Sequence, residues 1–259
     1  MSTTNTPATS ADTNTPATSA DNNTPATSAD NNTPADTTPA TSADNAATTE
    51  PTAPRRRGSI RASAPLTGWR TVDLLTVAFL GAAFGIAYWG WGLAYEAPAN
   101  AISAGFPPLS GLFAGPWFMA GVVGGLVIRR PGAALACEVI AALVSMLPGT
   151  QWGATTLVSG IVQGVGTELA FALFGYTAFG LVAAVTAGAL AGPLEAGYEA
   201  TNWIKDWALG WKFAYAGILT LSGAVVAGAG GWLLTKALAK AGALGAFPAG
   251  QEERESRAV

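Results

Sequence analysis

The chain has 259 residues, half of them hydrophobic and only 11% charged, about half the charge of a typical soluble domain. The apolar residues are concentrated after about residue 70, in greater density than a soluble fold can hide. There is no histidine and a single cysteine, Cys137, which excludes a disulfide framework or CxxC metal site and removes the commonest general base.

Residues 4–12 read TNTPATSAD, residues 13–21 repeat them, and residues 22–30 read NNTPATSAD. A degenerate copy runs to about Asp44. The period of nine is too short for a helical solenoid, and the composition has nothing to build a core. Residues 1–67 are therefore expected to form a disordered low-complexity tail. They lack the basic start and apolar run of a signal peptide. Arg55, Arg56, Arg57, Arg61 and Arg70 follow before the first apolar stretch.

A membrane span needs ~20 apolar residues at about 1.5 Å per residue. Six stretches come near that length: 72–95, 109–128, 131–147, 153–174, 176–198 and 212–238. The expected fold is an all-α, six-helix transmembrane bundle over 68–240 in the cell membrane, with a short polar tail over 241–259. With both ends on the cytoplasmic side, eleven of the thirteen Lys and Arg residues fall inside, leaving Lys205 and Lys212 outside. This is the bias of the positive-inside rule.

Carboxylates inside spans are costly and usually face a cavity or a partner. Glu195 lies about one turn from the outer end of the fifth stretch and is a candidate ligand group. Glu138 sits mid-span in the third, while Glu168 is more readily structural. Asp73 reads as a dipole partner at the start of the first span. Six tryptophans fall near the outer interface as an aromatic belt. Trp152 stands apart, in the Gly-bracketed turn PGTQWG, as a candidate stacking residue. Ala78 with Ala82, and Gly81 with Gly85, are small pairs four apart that let another helix approach closely. No P-loop, GxSxG or HExxH constellation is present, so no enzyme activity, metal or cofactor is expected, and an ATPase, if needed, would be another chain.

Three segments carry a resemblance: GPWFMAGVVGGLVIRRPGAA (115–134), CEVIAALVSMLPGTQWG (137–153) and SGIVQGVGTELAFALF (159–174). Together, over about 68–240, the chain resembles the YkoE family of substrate-binding S components of energy-coupling factor (ECF) transporters. That resemblance implies a six-helix membrane subunit capturing thiamine or its hydroxymethylpyrimidine moiety at the outer face. It would work with a separate transmembrane T component and two cytoplasmic ATPases, with no nucleic-acid partner. It further implies a helix-1 contact with the T component, matching Ala78, Ala82, Gly81 and Gly85 here. A cationic heterocycle wants aromatic faces and a carboxylate or amide. The outer end offers Glu195, Trp152, Gln151, Tyr198, Asn202 and Trp203, with Glu138 and Gln163 as a floor. The rival reading is a stand-alone proton-coupled secondary transporter of a small heterocycle. Against it, no inverted repeat is visible.

Overall fold

The computed structural model describes residues 59–258. The repeat tail and Arg55, Arg56 and Arg57 lie outside the described residues. Every regular element among those described is helical. Thr71–Ala94 (α1) starts where Asp73 folds its carboxylate back onto the Arg70 amide, 2.9 Å away, an acid at the third position closing the helix start. Glu96–Ser103 (α2) is short. Two 3-10 segments, Pro107–Phe113 and Gly115–Phe118, then lead into Met119–Ile128 (α3).

The second apolar stretch is thus not one straight span. Pro107–Phe113 and Gly115–Ile128 meet at a 45° bend, in a segment where prolines withhold backbone donors. The Ser222 hydroxyl repairs the break. It accepts from the Gly115 amide at 3.0 Å and donates to the Leu112 carbonyl at 2.6 Å.

Arg129 ends α3 in the left-handed region, with φ 59°. Ala133–Met146 (α4) follows after Gly132, φ 85°. Its 14 residues span only about 21 Å, short of the ~30 Å hydrocarbon core. Thr155–Leu173 (α5) and Leu181–Asn202 (α6) are full-length. Tyr176 (φ 53°) and Gly175 (φ 57°) turn the chain tightly between them, so α6 begins later than the expected residue 176. Leu209–Ser222 (α7), a π-helical segment Gly223–Gly230 and Gly231–Lys240 (α8) form one 32-residue apolar run. Pro248–Arg257 (α9) closes the described chain. Where six spans are expected, four helices among the described residues are long and apolar enough to cross a membrane, five if the bent pair is one span. The short α4 stands beside them.

Small residues set the packing. α3 is buried from Ala120 to Ile128 and touches α1, α4, α5 and α8. In the α1–α4 seam, a Cβ on Gly81 would stand 2.6 Å from Ile140, and one on Gly85 2.6 Å from Val144. Of the four residues expected to form a helix contact on α1, these two glycines are buried in this seam. Ala78 is exposed and Ala82 half-buried, beside the exposed Leu75 and Phe79. Between α6 and the π segment, a Cβ on Gly188 would overlap the Gly223 carbonyl, and one on Gly228 would lie 2.6 Å from Val185 Cα.

Both described ends meet at one pole of the bundle, around two buried arginines. Arg129 donates to Glu252 of α9 at 2.5 and 2.9 Å, to the Leu126 carbonyl at 2.9 Å and to the Ile60 carbonyl, over the Phe179 ring. Arg130 donates to Asp73 at 2.6 Å and to the Pro65 carbonyl at 3.1 Å. Through these bonds residues 60–65 and α9 are held against the bundle. Glu168 is structural. It accepts from the Gly132, Ala134 and Leu135 amides at 2.7, 3.0 and 3.2 Å and from the Tyr176 hydroxyl at 2.6 Å, satisfying the open amides that begin α4.

Burial alone would raise the Glu252 carboxyl, but the hydrogen bonds and charge of Arg129 outweigh it and hold it below the ordinary carboxylate value. A group whose pKa is depressed on folding stabilises the fold above its unfolded pKa, about 4.3 for Glu, and loses that contribution as pH falls through the folded value. The melting temperature in detergent is expected to drop below about pH 4 in the native sequence, with a shallower acid limb in Glu252→Gln. At neutral pH, Glu252→Gln melts lower. Removing one partner of a fully buried pair costs about 3–5 kcal/mol, and somewhat less is expected because Glu252 is 28% exposed. Identical acid limbs for the two proteins would count against this latch.

Candidate functional site

At the pole opposite the arginines lies a cavity of about 230 Å³. Its walls come from seven parts of the chain. α1 and its end supply Tyr88 and Tyr95, and the 3-10 segments supply Ser110 and Trp117. α4 supplies Glu138 and Ser145, and the following turn supplies Trp152. α5 supplies Thr155, Ser159 and Gln163. α6 supplies Glu195 and Glu199, with Trp203 just beyond it and Tyr215 from α7. Among the described residues, no Lys or Arg lines it.

Glu138 is fully buried. Its Oε2 accepts from the Gly121 amide at 2.6 Å and from the Tyr88 hydroxyl at 3.3 Å. The Tyr88 hydroxyl in turn accepts from the Ala120 amide at 2.7 Å. These amides are free because α3 begins anew at Met119 after the bend, and the first amides of a helix have no partner within it. A helix N-terminus also favours a nearby anion. Glu138 Oε1 has no hydrogen-bond partner.

Glu195, 3% exposed, is arranged similarly. Its Oε1 accepts from the Ser159 hydroxyl, and Gln163 Nε2 donates to the same hydroxyl at 2.7 Å. Its Oε2 has no hydrogen-bond partner. Glu199 lies one turn further along α6 and lines the cavity together with Tyr215. Three rings form an aromatic corner. Tyr95 and Trp117 are 4.8 Å apart between centroids, Trp117 and Trp152 5.5 Å, and Tyr95 and Trp152 5.7 Å. The first two are edge-to-face and the third is tilted at 31°, and aromatic pairs at these separations attract one another.

Of the residues expected at a site, Glu138, Trp152, Gln163, Glu195 and Trp203 line this cavity. Gln151 does not. It is exposed, donates to the Tyr95 hydroxyl at 3.2 Å, and lines a smaller neighbouring recess with Glu96 and Thr150. Tyr198 is also outside the lining, rotated by about 100° from its neighbour Glu199. Asn202 is exposed at the end of α6 and bonds to the Tyr198 carbonyl at 2.8 Å. Tyr88, Tyr95, Trp117, Ser159, Glu199 and Tyr215 join the lining unannounced. The i, i+4 spacing of Glu195 and Glu199, and of Ser159 and Gln163, was the available signal for two of them. Among the described residues, no three His, Cys, Asp or Glu side chains are grouped to hold a metal ion.

A bundle of apolar helices enclosing an acidic, aromatic cavity defines a membrane protein that handles a small molecule. Comparison with known proteins narrows the class. A family described as "ABC-type cobalt transport system, permease component" matches residues 72–194. The chain is 30% identical over 193 residues to the Bacillus subtilis (strain 168) protein YkoE, named as an HMP/thiamine permease protein. That alignment covers 73% of this chain and 94% of YkoE. The crystal structure of an S-component of an ECF transporter superposes with a TM-score of 0.68 at 29% identity, covering 73% of this chain and 95% of that one. The chain belongs to the YkoE family of ECF transporter S components. It is a multi-pass plasma-membrane transport protein.

The aromatic corner has its own test. Trp152→Ala is expected to lose much of the near-ultraviolet circular dichroism of the purified chain, because it breaks two of the three ring contacts. The far-ultraviolet helical signal should stay unchanged. An unaltered near-ultraviolet spectrum would mean that the three rings are not held together.

Proposed function

We propose that the chain is the substrate-capture subunit of an ECF-type ABC importer, binding thiamine or its hydroxymethylpyrimidine precursor in the acidic cavity. In this reading a separate transmembrane T component and two cytoplasmic ATPases drive its delivery inward. The observation that carries it is the pair of buried carboxylate oxygens, Glu138 Oε1 and Glu195 Oε2, without partners in a cavity lined by no basic residue among those described. An unpaired buried carboxylate is destabilising, and a cationic ligand bearing an amino group supplies both the charge and the hydrogen bonds. Glu195 takes the amino group or ring charge, and Trp152 stacks on the heterocycle beside Trp117. Glu138 and Gln163 form the floor. Gln151, Tyr198 and Asn202 stay outside direct contact in this arrangement and act, if at all, at the mouth.

The transporting domain takes in the whole described segment 59–258, since Arg129 and Arg130 tie both ends to it. Six crossings, counting the bent pair and α4, return both ends to one pole. The arginines and lysines there favour the cytoplasmic side. Ala78 and Ala82, with Leu75 and Phe79, are the face of α1 offered to the T component.

The test is a titration of the purified full chain in detergent, read by tryptophan fluorescence because Trp117, Trp152 and Trp203 line the cavity. Saturable binding of thiamine or hydroxymethylpyrimidine is expected in the nanomolar range, about −12 kcal/mol. Glu195→Gln should weaken it by about 10- to 100-fold, the worth of one hydrogen bond to a charged group. Absence of binding to either compound by folded protein would refute the assignment, and unchanged affinity in Glu195→Gln would remove that residue from it.

A further inference from the structure

Glu199 has no counter-charge in the cavity. It stands one helical turn from Glu195, a like-charge spacing that is unfavourable even on an exposed helix. With Glu138 it makes three carboxylates around one enclosed space. The nearby Lys212 is outside the lining, its ammonium donating to the Ala200 and Lys205 carbonyls at 3.3 and 2.7 Å. Helix starts, the other common way to hold an anion, are already used. At α3, the Ala120 and Gly121 amides are taken by Tyr88 and Glu138. At α5, the Thr156 and Leu157 amides bond to the Gly153 and Ala154 carbonyls at 3.3 and 3.2 Å.

We propose that Glu199, paired with Glu195, is a charge filter: the cavity admits the unphosphorylated cationic heterocycle and rejects its phosphate esters. This rests on the capture reading above and adds a specificity that reading does not contain. A phosphate monoester brings a charge of about −1.5 to −2 at neutral pH toward three carboxylates. At reduced dielectric, each such repulsion amounts to kcal/mol at separations of a few ångströms. A phosphorylated form outside the cell must then lose its phosphate by phosphomonoester hydrolysis before capture, and any phosphorylated form inside must be made after delivery.

The experiment titrates the full chain in detergent with thiamine and with thiamine monophosphate, for the native sequence and for Glu199→Gln. The native chain is expected to bind the monophosphate at least 100-fold more weakly than thiamine. Glu199→Gln should narrow that ratio at least 10-fold, by weakening thiamine binding and relieving repulsion of the ester. Comparable affinity for the two compounds in the native chain overturns the filter while leaving the capture function standing. An unchanged ratio in Glu199→Gln overturns the role of Glu199. Failure of the native chain to bind thiamine or its monophosphate overturns the filter, and the capture reading falls with it only if hydroxymethylpyrimidine is not bound either. If Glu199→Gln does not fold, Glu199→Asp, which keeps the charge, must retain the native ratio, and a collapsed ratio there counts against the filter.

Discussion

The structure turns on the cost of keeping ionisable acids inside an apolar helical bundle. A carboxylate in such surroundings must find hydrogen bonds and an opposite charge. At the arginine pole the chain provides both, so Arg130 meets Asp73 and Arg129 meets Glu252. At the other pole it provides only half. Glu138 and Glu195 are each held by one oxygen and left without a partner on the other. The difference between the poles separates the part that holds the fold from the part proposed to take a ligand.

Much of this follows from where the second apolar stretch breaks. Had Pro107–Ile128 formed one straight helix, the Ala120 and Gly121 amides would have been used in its own ladder. After the bend a 3-10 segment, Gly115–Phe118, gives way to α3 only at Met119, and the amides at this start bond to Tyr88 and Glu138. Broken helices pointing their starts at a midplane site are a recurrent device of membrane transporters. Ser222 reaches the break from the end of α7, so the site is braced by the long Leu209–Lys240 run. Glycine-lined seams of α6 against that run, and of α1 against α4, bring the backbones close enough for rigid walls.

The helical membrane character was legible in the sequence, and so were five residues that line the cavity, Glu138, Gln163, Glu195, Trp152 and Trp203. A charged or amide group deep in an apolar stretch, or a tryptophan in a glycine turn, has few bland reasons to be there. The rest depended on geometry that no single stretch encodes. Glu199 falls just past the apolar stretch 176–198, whereas α6 continues to Asn202. Tyr88, Trp117 and Tyr215 look like ordinary membrane aromatics until tertiary packing turns them toward one space. Gln151 was near the site in sequence but points to the neighbouring recess. The shortness of α4, the bend at Ala114 and the docking of residues 60–65 and α9 arise from prolines, a left-handed Arg129 and long-range ion pairs, which hydropathy does not register.

If Glu195 is kept for a ligand and not for the fold, removing its charge should help the empty protein and hurt the loaded one. The decisive measurement is thermal unfolding of the full chain and of Glu195→Gln in detergent, each with and without saturating thiamine. Glutamine keeps an acceptor for Ser159 and removes the buried charge. The account predicts that Glu195→Gln melts at or above the native temperature without ligand and loses most of the ligand-induced rise, which scales with the logarithm of ligand concentration over Kd. A lower melting temperature without ligand, together with an undiminished rise on adding thiamine, would contradict it.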